Sequence, residues 1–84
     1  MGTQEKKKTN LQDAFLNTAR KADIPVAVYV TNGYLINNAR VKSFDNYSIL
    51  VESGGKQMLI YKHAVSTITP ETPIDLSAEE VNEQ

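Results

Sequence analysis

The sequence predicts a mainly β domain, in which one N-terminal helix precedes a strongly bent five-stranded antiparallel sheet or small barrel. Three observations carry that reading. Apolar residues recur with a period of two in several short runs. The runs are joined by turn dipeptides, Asn32-Gly33, Asp45-Asn46 and Gly54-Gly55. Only the segment "TNLQDAFLNTARKA" shows the three- and four-residue apolar spacing of a helix.

In that segment Leu11, Ala14, Phe15 and Ala19 form the apolar stripe, Thr9 or Asn10 can cap the start, and Arg20 and Lys21 sit where the helix dipole favours cations. Pro25 is expected to stop the helix. "VAVYVTN" then alternates Val26, Val28 and Val30 against Ala27, Tyr29 and Thr31, a first strand. A second strand is expected across residues 34–44, a third in "YSILVES", and two more across 56–62 and 64–69. Lys62 and His63 fall at the junction of the last two, inside the apolar run "LIYKHAVSTI".

Several function classes are excluded by what the chain lacks. Its 84 residues make one small domain with tails. It has no cysteine and one histidine, so neither disulfides nor a histidine or cysteine metal cage can reinforce the core, and no cofactor or metal is expected. Self-association is the remaining route, and the apolar final strands, rich in Ile, Val and Thr, offer an edge that another copy can extend. No run approaches the length of a membrane span, and no apolar segment follows the N-terminal lysines, so a cytoplasmic location is expected. A hydrolase or transferase is not expected, because Ser66 near His63 has no third group and there is no phosphate-binding glycine loop.

Charge is divided unevenly. All nine Lys and Arg lie in residues 1–70 against five acids, a net of +4, whereas residues 71–84 hold five acids and no base, a net of −5. The expected organisation is a flexible basic tail at 1–9, with Lys6-Lys7-Lys8, a folded domain at 10–69 and an acidic disordered tail at 70–84.

The helix "NLQDAFLNTARK", the strand opening "IPVAVYVTNG", the segment "SFDNY" and above all "YKHAVSTI" resemble the bacterial Sm-like RNA chaperone Hfq across roughly residues 10–69. The resemblance implies an Sm-like fold assembled as a homohexameric ring, which binds small regulatory RNAs and messenger RNAs and promotes their pairing in post-transcriptional regulation and stress response. It implies three RNA surfaces. Around the pore on the helix side, a proximal site for uridine-rich RNA matches Gln12, Asn46, Tyr47, Tyr61, Lys62 and His63. On the opposite, distal face, a site for adenine- or purine-rich RNA matches Tyr29, Val30, Thr31, Gly33, Tyr34, Gln57 and Thr67. A basic patch on the outer rim matches Asn17, Arg20 and Lys21.

Chemistry supports such roles. Tyrosine faces stack bases at about 1–3 kcal/mol each, amides read base edges, and a ring gathers every copy of Lys62 and His63 near one axis, where polyanions are attracted. Two departures stand out. Between Gly33 and Phe44 the chain has one residue more than the family usually carries, with Asn38 about where a glycine is common. After Arg20 and Lys21 come Ala22 and Asp23, so a weak rim is expected. Other readings of the same residues are that Tyr29 and Phe44 pack in the core, and that His63 is a packed structural residue. A further alternative is that the barrel binds a protein or peptide segment through its tyrosines.

Overall fold

Asn10 starts helix α1 (Leu11–Lys21): its side-chain oxygen accepts the backbone N–H of Asp13 at 2.8 Å. The computed structural model describes residues 10–76. The stripe facing the sheet is Ala14, Leu16 and Ala19, all fully buried. Leu16 takes the place expected of Leu11, which is 59% exposed. Pro25 does not end the helix. The chain reverses earlier, with Asp23 in the left-handed region at φ 55°. The N–H groups of Asp23 and Ile24 return to the carbonyls of Arg20 and Ala19 at 3.2 and 3.0 Å. Those bonds satisfy carbonyls that the last turn would otherwise leave unpaired.

The expected strands follow: β1 (Val26–Val30), β2 (Leu35–Phe44), β3 (Ser48–Ser53), β4 (Lys56–Tyr61) and β5 (Val65–Pro70), with a 3-10 turn η1 (Lys62–Ala64) between the last two. All pairings are antiparallel, in the order β4-β3-β2-β1-β5. Strand β2 is the hinge of this sheet. It is ten residues long and carries two bulges, one where Ile36 and Ala39 oppose Val28 and Val26, and one where Val41 and Ser43 oppose Val51 and Leu50. An extra residue on one strand bends it and raises its twist, which lets a single strand serve both halves of a curled sheet. In the first bulge Asn38 takes φ 51°. Asparagine tolerates that conformation better than most side chains.

The sheet closes over Val26, Val28, Ile36, Val41, Ile49, Val51 and Ile60, and Leu16 and Ala19 of α1 pack in the same cluster. Strands β4 and β5 are consecutive in the chain yet form the two outer edges. The turn η1 makes that crossing. Its Lys62 N–H bonds to the carbonyl of Tyr47 at 2.7 Å, and its Ala64 carbonyl accepts the N–H of Thr31 at 2.7 Å. The polar interruption in "LIYKHAVSTI" is thus the point where the chain leaves one sheet edge and bridges two turns before joining the other.

Residues 70–76, assigned by composition to the start of the acidic tail, touch the domain. The N–H of Glu71 bonds to the carbonyl of Pro25 at 2.9 Å, and Ile74 packs against the core. The reason is positional, since β5 delivers this segment alongside the start of β1. Residues 1–9, with the expected basic tail, and residues 77–84 lie outside the described residues.

Candidate nucleic-acid interface

The tight turn between β2 and β3 is built by Asp45. Its carboxylate accepts the N–H of Tyr47 and the N–H of Ser48 at 2.8 Å each, and the Ser48 hydroxyl at 3.1 Å. The Tyr47 amide, then those Ser48 groups, hold the Asp45 carboxyl below its ordinary value, with Lys62 nearby adding to the effect. Tyr47 is left 70% exposed, its ring free for contact while its backbone is held on both sides. A lowered carboxylate value stabilises the fold above the ordinary aspartate range, and the effect is lost as pH falls through the lowered value. The melting-temperature difference between wild type and Asp45→Ala is therefore expected to be level above about pH 5 and to shrink in acid.

Lys62 lies against this turn, but its charge is already engaged. Its ammonium donates to Asp13 of α1 at 2.8 Å, stands 5.4 Å from the centre of the Phe44 ring, and belongs to a side chain only 12% exposed. In the single chain Lys62 ties η1 to the helix, and its ammonium is not a free cation. His63, next along, is exposed. Gln12 and Lys62 line one concavity of about 430 Å3 with Leu11, Phe15, Val65 and Ile68. Of the proximal set, then, the fold places Lys62 beside Gln12 in that concavity and joins its backbone to Tyr47, with Asn46 in the turn and His63 in η1. Tyr61 lies on β4 and faces a different concavity, with Val30, Thr31 and Tyr34.

The distal set is partly assembled. Tyr29 pairs in register with Thr67 on β5, both are exposed, and Leu35 of β2 lies on the other side of Tyr29. Tyr29 is 42% exposed and Phe44 packs against the core, so of the two aromatics read as possible core residues only Phe44 takes that place. Gly33, at φ 91°, allows the turn in which Val30 accepts the Gly33 N–H at 2.9 Å and the Asn32 side chain accepts that of Tyr34 at 3.0 Å. Gln57 is exposed on β4 but separated from β1 by two strands within the chain. Met58, Leu59, Ile60 and Tyr61 of β4 all border the concavity beside Tyr34, and Gln57 does not.

At the rim, the Arg20 guanidinium donates to Asn17 at 2.6 Å. Lys21 is exposed, and Asp23 forms an ion pair with Arg40 of β2 at 2.9 Å. Asp23 thus brings a third cation to the helix end and offsets its charge. Among the described residues there is no group of three or more histidine, cysteine or acidic side chains placed to hold a metal ion, and no helix long and apolar enough to cross a membrane.

A family model described as "Hfq protein" matches residues 11–75. A protein of Clostridium acetobutylicum named RNA-binding protein Hfq is 59% identical over 69 residues, covering 82% of this chain and 84% of its own. The protein of that name from Clostridium botulinum is 55% identical over 69 residues, covering 82% and 88%, and that from Desulforudis audaxviator 49% over 73 residues, covering 87% of each. Among solved structures, a 1.55 Å crystal structure of the pleiotropic translational regulator Hfq aligns with a TM-score of 0.68 at 38% identity, covering 71% of this chain and 98% of that one.

Proposed function

The chain belongs to the Hfq family, and from that premise we propose that it is an RNA chaperone: a closed homohexameric ring whose two faces hold different RNA strands and so promote pairing between small regulatory and messenger RNAs. The observation that carries the two-face reading is the separation of its exposed tyrosines. Tyr47 stands beside η1, whereas Tyr29 stands on the outward side of the β1–β5 pair with Thr67. Each is a platform for a base, and they lie on different elements of one curled sheet.

The sheet edges support the ring. Among the described residues both outer strands lack a partner on one side. Beside the β4 edge lies a concavity of about 410 Å3 that includes Leu59, itself 59% exposed. Beside the β5 edge lies the groove of about 430 Å3 that includes Leu11 and Ile68. Pairing β4 of one copy with β5 of the next covers both, and because the contact is head to tail it closes into a ring when the rotation allows. The neighbour's β4 then lies beside Thr67, which supplies a route for Gln57 to join Tyr29 from the adjoining copy. The same rotation gathers His63 and the Lys62–Asp13 pair of every copy into the proximal site.

The proximal role is tested on His63. Since His63 is exposed and no η1 residue is buried, His63→Ala is expected to leave the melting temperature unchanged. The variant should bind uridine-rich RNA several-fold more weakly than the wild type, through loss of the imidazole's contacts. Lowered stability with unchanged affinity would refute the site. RNA binding should also weaken steeply with salt, whereas docking of an apolar peptide should not.

A further inference from the structure

The first bulge of β2 does more than bend the strand. On β1, Val26 and Val28 point into the core opposite Pro70 and Ile68, so the alternate pairs, Ala27 with Thr69 and Tyr29 with Thr67, share the outward side. The bulge at Asn37 and Asn38 lies opposite Ala27, two residues from Tyr29. There it walls a cleft of about 400 Å3, closed on the far side by Thr69, Pro70 and Glu71. The wall is fixed, because the carbonyl of Asn37 accepts the Ser53 hydroxyl at 2.7 Å and the N–H of Glu71 is held by Pro25 at 2.9 Å. Asn38 also borders a second concavity, of about 270 Å3, that contains Arg40 and Lys42.

We infer that this cleft is an additional nucleotide subsite, through which an RNA strand stacked on Tyr29 leaves the sheet face and crosses to the cations of β2. The inference rests on the reading of Tyr29 as a stacking platform. Two residues along a strand advance about 6.7 Å, a step that one extended nucleotide can span. The side-chain amides of Asn37 and Asn38 each offer a donor and an acceptor in one plane, which suits a base edge. Glu71 accepts hydrogen bonds and repels phosphate, so the base occupies the cleft and the backbone passes on the side of Asn38. Beyond it wait Arg40, paired with Asp23 at 2.9 Å, and Lys42, paired with Glu52 at 3.5 Å. Both pairs are solvent-exposed, and such pairs are weak enough for phosphate to compete with the carboxylates.

The test compares Asn37→Ala/Asn38→Gly with Tyr29→Ala on particles of wild-type native mass, using adenine-rich oligonucleotides that are either just long enough to cover Tyr29 or several nucleotides longer. Glycine keeps the left-handed backbone at position 38, and Asn37→Ala alone serves where the double variant does not assemble. The expected result is about a five-fold or greater loss for the long strand, from the deleted hydrogen bonds, with the short strand unaffected, and a shallower salt dependence for the long strand in Arg40→Gln. Loss only in Tyr29→Ala, or equal loss for both lengths in the bulge variant, overturns the subsite and leaves the distal reading standing. No loss in Tyr29→Ala overturns both.

Discussion

Tyr29→Ala is expected to weaken adenine-rich RNA by at least about tenfold while leaving uridine-rich RNA within about twofold of wild type, since removal of a stacking face costs about 1–3 kcal/mol per base. The ring is expected to survive. Tyr29 is 42% exposed, its neighbours Val28 and Ile68 supply the packing on the core side, and its backbone pairing with Leu35 and Thr67 does not depend on the ring. Tyr47→Ala should give the mirror result, with loss of uridine-rich binding alone. Native mass, melting temperature and both affinities measured on one preparation decide the matter. Equal loss for both oligonucleotides with the particle intact would show that Tyr29 acts through the fold and not through a face.

The second large effect is on assembly. Ile68→Pro removes a backbone donor from β5 and places a ring against a strand that carries both the β1 pairing and the edge offered to the next copy. The expected product is a particle of one chain or a chain that does not fold, with no ring in either case. Leu59→Glu separates those outcomes. Leu59 is 59% exposed in the single chain, so a carboxylate there is harmless to the protomer and costly only once β4 is covered by a neighbour. Wild-type strand content by circular dichroism together with a one-chain mass is the expected reading. A ring of unchanged mass in Leu59→Glu would place the contact elsewhere.

Much of this was legible in the sequence because the relevant signals are local. Alternation of Val26, Val28 and Val30 named the core side of β1, and Asn32-Gly33 named its turn. What was less legible depends on partners distant in the chain. Leu16 and Phe15 are both apolar and adjacent, and only the direction from which the sheet approaches decides that Leu16 is the buried one. Proline is a visible helix stop, whereas the left-handed Asp23 that does the work leaves little trace in a single sequence. Lys62 reads as a free cation until the fold sets it 2.8 Å from Asp13, forty-nine positions away. The register of β2 was open in the sequence, and the bulge at Asn37 and Asn38 shifts it without turning Ile36 and Val41 out of the core. Gln57 was placed with Tyr29 by resemblance, but within one chain β2 and β3 stand between them, so their meeting depends on a second copy.

That dependence makes the ring the hinge of the whole account, because both proposed faces draw residues from adjoining copies. Native mass spectrometry of the wild-type protein with a uridine-rich and an adenine-rich oligonucleotide, added singly and together, tests it most directly. The account predicts a six-chain particle that binds each strand alone and both at once, with neither displacing the other. A one-chain mass at micromolar concentration, or two strands that exclude each other on an intact ring, would contradict it.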